Sequence, residues 1–257
     1  MKNKRNVEIV DIKQLASDVF SMWVKDEEIA NNGKPGQFAS LYCNNETRLL
    51  PRPISICEIN KDEGLVRFVY RVVGKGTEEF SKLKVGDRIH VLGPIGDGFN
   101  LEGKNVLIVG GGIGIPPLLE LSKQLDAKNN IILGFRDELF LIDDFKQYGD
   151  VYVSTEDGSS GTKGNVIDAI IENKLTQNGK IDMLFACGPT PMLRGLKEFA
   201  NKHGIKAQIS LEERMACGVG ACLSCVCKTK EKDHHTHVHN TRICKEGPVF
   251  YADEVEI

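Results

Sequence analysis

The stretch Asn105-Val106-Leu107-Ile108-Val109-Gly110-Gly111-Gly112-Ile113-Gly114-Ile115-Pro116-Pro117 divides the chain into two textures. Four consecutive apolar residues, Val106 to Val109, match a strand buried on both faces, as in a parallel sheet. Glycines follow it, and a helical pattern runs from Pro116 to Leu125. A glycine-rich turn between a strand and a helix allows close backbone approach to a pyrophosphate, with the helix N-terminus behind it. The match to the dinucleotide fingerprint is incomplete. Counting from Gly110, the third glycine position holds Ile115, and prolines follow.

Downstream of this stretch the strand signal recurs at Ile131-Ile132-Leu133, Val151-Tyr152-Val153, Met183-Leu184-Phe185 and Ala207-Gln208-Ile209. Helical segments at Ile167 to Glu172 and Pro191 to Lys202 lie between some of them. That alternation predicts a parallel sheet with crossover helices. Gly134-Phe135-Arg136-Asp137 ends one strand where an adenosine would lie. Arg136 suits a 2′-phosphate and Asp137 a ribose hydroxyl, so these residues leave NADPH and NADH both open. Cys187-Gly188-Pro189-Thr190-Pro191-Met192 ends another strand, either as a plain buried thiol or as a small polarizable side chain beside a reacting ring.

Upstream, short apolar or alternating runs are separated by turn residues: Val7 to Val10, Val19 to Val24, Phe38 to Tyr42 and Val66 to Tyr70. Strands at that spacing without long helical patterns predict a small antiparallel barrel or sandwich. Asn31 to Gly36 reads as a turn cluster, and Gly93 to Phe99 closes this domain. Arg52-Pro53-Ile54-Ser55 opens a strand; the proline limits the backbone, and the guanidinium fork beside it suits a diphosphate. Tyr70-Arg71-Val72-Val73-Gly74-Lys75-Gly76-Thr77 runs from a strand through a glycine turn into a short helix expected over Thr77 to Leu83. A cap at Thr77 would leave free N–H groups for phosphate.

The C-terminal region reads Glu212-Glu213-Arg214-Met215-Ala216-Cys217-Gly218-Val219-Gly220-Ala221-Cys222-Leu223-Ser224-Cys225-Val226-Cys227, with Cys244 downstream. Cys217, Cys222 and Cys225 stand at C-x4-C-x2-C, the plant-type spacing for a 2Fe-2S cluster. Gly218 and Gly220 permit the sharp turns of such a loop. A zinc ribbon would show two close pairs, whereas here one tight group precedes a single distant cysteine. Cys227 is a spare thiol able to replace Cys225 or Cys244 as a ligand, though the x2 spacing favours Cys225. Lys228 to Asn240 is charged and carries His234, His235, His237 and His239. A Rieske centre would not leave four cysteines at this spacing, so this run is expected to be a solvated hairpin.

The 257 residues suffice for two domains and a small appendage. A formal charge of -3 argues against a nucleic-acid partner. No apolar run reaches membrane-spanning length and no signal core follows Met1, so a cytoplasmic location is expected. Most of the eight cysteines crowd into one loop, as expected for metal ligation in a reducing compartment.

Taken together, Arg52-Pro-Ile-Ser55, Gly74-Lys-Gly-Thr77, Gly110-Gly-Gly-Ile-Gly114, Cys187-Gly-Pro189 and the cysteine loop resemble the ferredoxin-NADP reductase superfamily. Within it the order of modules is most similar to the electron-transfer subunits of class 1B dihydroorotate dehydrogenases. The resemblance implies an α+β multi-domain chain: an antiparallel β-barrel FAD domain over 1–101, an α/β parallel-sheet NAD-binding domain over 102–209, and a small 2Fe-2S cluster subdomain over 210–257. It implies that Arg52, Pro53, Ile54, Ser55, Tyr70, Val72, Gly76 and Thr77 hold FAD. Gly111, Gly112, Cys187, Gly188 and Pro189 would lie along the NAD(H) site, and Cys217, Cys222, Cys225 and Cys244 would ligate the cluster. The interval between Cys225 and Cys244 is longer than the family's. The implied partner is an FMN-containing catalytic subunit that oxidises dihydroorotate in pyrimidine biosynthesis, in a heterotetramer of two copies of each. Flavin subunits of a ferredoxin-NADP transhydrogenase, a sulfite reductase or a hydrogenase share these modules. A zinc-bearing scaffold without redox turnover is the alternative of another class.

Overall fold

The computed structural model describes residues 3–45, 47–177, 179–232 and 238–257. Its first part is a closed antiparallel barrel of β1 (Arg5–Gln14), β2 (Val19–Lys25), β3 (Phe38–Tyr42), β4 (Arg52–Asn60), β5 (Leu65–Arg71) and β6 (Arg88–Ile95), in the order β1-β2-β5-β4-β3-β6. Successive strand residues face opposite sides of the sheet. Hence Met22 and Val24, Ala39 and Leu41, Val66 and Phe68, and Ile89 and Val91 fill the interior, while Phe38 packs outside with the second domain. Closure leaves no edge for unwanted pairing.

Two short helices interrupt the barrel. α1 (Glu27–Asn32) occupies part of the expected turn cluster, because Asp26 caps it: its Oδ1 accepts the Ile29 N–H at 3.2 Å. α2 (Lys75–Phe80) starts two residues before the expected Thr77. Thr77 sits inside the first turn, where its Oγ1 accepts the Val73 and Gly74 N–H groups at 3.0 and 3.3 Å.

The second part contains β7 (Asn105–Gly111), a 3-10 turn at Gly112–Gly114, α3 (Pro117–Gln124), β8 (Lys128–Phe135), α4 (Ile142–Phe145), β9 (Asp150–Thr155), β10 (Thr162–Lys163), α5 (Val166–Glu172), β11 (Met183–Cys187), α6 (Thr190–His203) and β12 (Lys206–Ser210). The tail adds β13 (Val226–Thr229), β14 (Asn240–Arg242), β15 (Val249–Tyr251) and β16 (Val255–Glu256). The sheet order is β10-β9-β8-β7-β11-β12-β15; its strands pair in parallel except β15, which runs antiparallel to β12. The order reverses between β7 and β11, which creates a crevice at their carboxyl ends.

Both faces of this sheet are covered, which is why its strands read as unbroken apolar runs. Val106 and Ile108 pack with Leu118, Leu121 and Phe145 on one face. Leu107 and Val109 pack with Ala169, Leu193 and Leu196 on the other, in a core that continues into Cys225, Ile243 and Cys244 of the tail. The cysteine region is therefore built onto the sheet and has no separate core. The barrel is tied to α3: Glu120 accepts the Ile59 N–H at 2.7 Å and Lys123 Nζ donates to the Ile59 carbonyl at 2.7 Å. Arg67 on β5 adds an ion pair with Asp144 on α4. Among the described residues no helix is long and apolar enough to cross a membrane.

Candidate functional site

A cleft of about 390 Å³ opens between the barrel and the second domain. The barrel lines it with Arg52, Pro53, Ile54, Ser55, Tyr70 and Thr77, all residues expected from the sequence. Ile113 and Pro117 close it from the glycine loop, and Ser210 to Glu213 with Met215 close it from the segment leading into the cysteines. That last segment carries no local motif and escapes a sequence reading. The orientation of Arg52 shows why glycine is needed at 76: a Cβ there would fall 1.9 Å from Arg52 Nε. The guanidinium therefore lies across the Gly76 backbone, at the start of α2.

Tyr70 is 1 % exposed, stacked on Phe20 at 6.2 Å and edge-on to Phe80 at 5.9 Å. Its hydroxyl has no hydrogen-bond partner in the protein, and desolvation holds its pKa far above the usual range. An unpaired buried donor costs roughly 1–3 kcal/mol, so this neutral O–H fits the acceptor atoms of a bound flavin. Val72 stands apart from this group: it is not part of the cleft lining, and its N–H is bonded to the Asp18 carbonyl at 2.8 Å.

The glycine loop and the Cys187 turn, far apart in sequence, meet at the sheet's switch point, where Cys187 is the register partner of Gly110. A Cβ on Gly114 would lie 2.5 Å from the Gly188 nitrogen and 2.6 Å from the Cys187 carbonyl, so the two turns touch through bare backbone. Gly111 and Gly188 both abut Met192, with Pro189 beside Gly111, whereas Gly112 has φ +52 and open space beside it. Burial drives the Cys187 thiol pKa far up, so it is a neutral packing group. Arg136 and Asp137 are exposed after β8.

The four cysteines converge in two pairs. The Cys222 amide donates to Cys217 Sγ and the Cys244 amide to Cys225 Sγ, each at 3.4 Å. Loop amides point at the sulfurs: Val219, Ala221 and Cys222 donate to Cys217 Sγ at 3.4, 3.3 and 3.4 Å, and Gly220 donates to Cys244 Sγ at 3.1 Å. Positive φ at Gly218 (+67) and Gly220 (+81) makes this wrapping possible. Burial works against the Cys217 thiolate, but these donors bring its pKa down to about 6. Thiolate is the ligating form, and amide donors also stabilise it once metal is bound.

The long interval before Cys244 is absorbed by the β13–β14 hairpin. Val226 pairs with Arg242, and the Ile243 N–H bonds the Cys225 carbonyl at 2.9 Å, so the hairpin's length does not alter the Cys225–Cys244 separation. His234, His235 and His237 lie outside the described residues; His239 is exposed, with Nδ1 3.0 Å from the Lys230 carbonyl. Cys227 pairs in register with Thr241 instead of joining the thiol pairs, and burial pushes its pKa up to about 11. Among the described residues no three His, Cys, Asp or Glu side chains converge on a single ion position.

Barrel, switch-point sheet and thiol loop together define the class: an oxidoreductase of the ferredoxin-reductase type with its own iron-sulfur domain. Residues 212–256 match the iron-sulfur cluster binding domain of dihydroorotate dehydrogenase B. The electron transfer subunit of dihydroorotate dehydrogenase B (NAD(+)) from Fusobacterium nucleatum is 45% identical over 254 residues, 95% of each chain, and that from Caldanaerobacter subterraneus is 42% identical over 99% of each. The chain belongs to this family of electron transfer subunits. A solved structure of an NADH-dependent reduced ferredoxin-NADP oxidoreductase shares its whole architecture, with TM-score 0.87, 33% identity, and coverage of 100% of this chain and 91% of that one. The Plasmodium falciparum ferredoxin-NADP+ reductase, at 15% identity, TM-score 0.63 and coverage of 80% and 96%, shares the fold. Identity is thus higher with the dihydroorotate dehydrogenase subunits than with the ferredoxin-NADP oxidoreductase.

Proposed function

We propose that this chain links NAD(H) to a dihydroorotate-oxidising partner through three sites of its own. Cys217, Cys222, Cys225 and Cys244 ligate a 2Fe-2S cluster. Arg52, Pro53, Ile54, Ser55, Tyr70, Gly76 and Thr77 hold FAD, with Arg52 and the start of α2 facing its diphosphate and Tyr70 donating a hydrogen bond. Gly111, Gly112, Cys187, Gly188 and Pro189 hold the nicotinamide nucleotide at the switch point. The corresponding regions are 1–101, 102–209 and 210–257. When bound, the flavin takes the two electrons of a hydride together and exchanges them singly with an iron-sulfur centre, so it can stand between the other two carriers.

One observation carries the reading. Met215 lines the cleft and Cys217 is two residues on, a backbone reach of at most about 7 Å. The same short segment therefore closes the flavin cleft and supplies the first thiol. The protein's part in transfer is positional: it stacks the sites, keeps Cys187 neutral and donates amides to the sulfurs. The partner is an FMN-containing catalytic subunit in a cytoplasmic heterotetramer of two copies of each.

The test is anaerobic purification with the catalytic subunit, followed by absorption spectra, iron content and NADH-driven reduction of orotate. Wild type should show flavin and iron-sulfur bands. Cys222→Ala should lose the cluster bands, keep flavin and lose orotate reduction, whereas Cys227→Ser should retain both. Cluster loss in Cys227→Ser, or orotate reduction surviving in Cys222→Ala, overturns the reading.

A further inference from the structure

β3 runs past both sites. Its outward-facing residues are Phe38, Ser40 and Tyr42, since Ala39 and Leu41 point into the barrel core. Phe38 lines the flavin cleft. Tyr42 lies about 13 Å further along the strand by its rise per residue. Ser40 lies between them. It is 1 % exposed, and its Oγ has no hydrogen-bond partner in the protein.

The cysteine loop covers this hydroxyl. A Cβ built on Gly218 would stand 2.7 Å from Ser40 Oγ, so the hydroxyl occupies the space a side chain at 218 would need. Gly218 directly follows Cys217, so Ser40 is pressed against the loop where the first thiol is presented. Three of the four proposed ligand sulfurs already accept backbone donors: Cys217 Sγ from three amides, Cys244 Sγ from the Gly220 amide, and Cys225 Sγ from the Cys244 amide at 3.4 Å. Ser40 is a buried donor without an acceptor at the edge of a site designed for an electron-rich group. A serine with no partner is disfavoured inside a protein, and alanine would fill the same strand position without that cost.

We propose that Ser40, a residue of the flavin barrel, donates a hydrogen bond to the iron-sulfur centre held by the 217–225 loop and thereby raises its reduction potential. The inference rests on the cluster assignment made above. Reduction adds negative charge, and a donor stabilises the more negative state; hydrogen bonds to the sulfurs are among the determinants of cluster potential. The strand that flanks the flavin cleft would thus also tune the carrier that follows it.

The experiment uses the full chain with its catalytic subunit, wild type and Ser40→Ala, in an EPR-monitored redox titration. Wild type lacking an iron-sulfur signal would remove the cluster assignment itself. With the cluster present in both, Ser40→Ala should lower the midpoint enough to cut the reduced-to-oxidised ratio about tenfold at the wild-type midpoint, 59 mV for a one-electron couple. Resonance Raman iron–sulfur stretches should shift in D2O by less in Ser40→Ala than in wild type, and Ser40→Thr, which keeps the hydroxyl, should restore the wild-type shift. Equal midpoints together with equal D2O shifts in wild type and Ser40→Ala overturn the proposal.

Discussion

Gly114→Ala tests how the two halves of the proposed nucleotide site are joined. The added methyl would stand 2.5 Å from the Gly188 nitrogen and 2.6 Å from the Cys187 carbonyl carbon and oxygen. All three are backbone atoms at the end of β11, which is paired in register with both β7 and β12, so no flexible side chain can swing away. Relief requires the 3-10 turn at Gly112–Gly114 to lift from the Cys187 turn. Overpacking of this kind costs about 1–3 kcal/mol. If the strain is released by separating the turns, the same energy weakens NADH binding by roughly 5- to 150-fold at 1.4 kcal/mol per tenfold. If instead it stays in the fold, the melting temperature falls by about 2–4 °C per kcal/mol for a chain of this size. The assay is NADH titration of flavin reduction under anaerobic stopped-flow, paired with thermal melts. The cluster spectrum should be unchanged, because the thiol loop is not touched; flavin content is measured alongside, because Ile113 of the same turn lines the cleft. A variant with wild-type NADH affinity and wild-type melting temperature would refute the claim that backbone packing at Gly114 holds the site together.

Two further outcomes follow from particular side chains. Tyr70→Phe removes a hydroxyl that has no protein partner, so the stability of the flavin-free protein should hold or rise while FAD affinity falls about 2- to 12-fold, the range of one neutral hydrogen bond at roughly 0.5–1.5 kcal/mol; flavin fluorescence titration measures it, and unchanged affinity contradicts the assigned contact. Asp182 accepts the Lys104 and Asn105 N–H groups at 3.0 Å each, and these bonds hold its carboxyl below its ordinary value. A lowered carboxylate contributes stability that is present above its unfolded pKa, ordinarily 3.8, and is lost as pH falls through the lower folded value. Asp182→Asn should therefore be less stable than wild type near neutrality and converge with it in acid, as denaturant unfolding at several pH values would show; a gap that widens in acid would reverse the sign.

Different parts of this molecule were legible to different degrees. The cysteine spacing from 217 to 225, the unbroken run from Val106 to Val109, and the alternating strands of the barrel were all readable, because each depends on residues a few positions apart. The helix at Glu27–Asn32 was hidden by its six-residue length, too short for a periodic pattern, and is established by the Asp26 cap. The placement of Thr77 as a cap failed because the helix starts two residues earlier, at Lys75, and the hydroxyl, on the third helical residue, reaches back to the Val73 and Gly74 N–H groups instead of forward into the helix.

Local chemistry in the sequence was enough to read the fold class and to nominate the first three thiols of the cluster loop and the glycine loop of the proposed nucleotide site, since spacing along the chain directly limits what a loop can wrap. Tertiary structure alone decided that Cys244 returns beside Cys225, that Ser210 to Glu213 and Met215 close the cleft proposed for flavin, and that Gly114 meets Gly188. It also decided that Ser40 of the barrel is buried under Gly218 of the cysteine loop. Those juxtapositions come from strand pairing and close packing between segments tens to nearly two hundred residues apart, where no local pattern records which residue will be the neighbour.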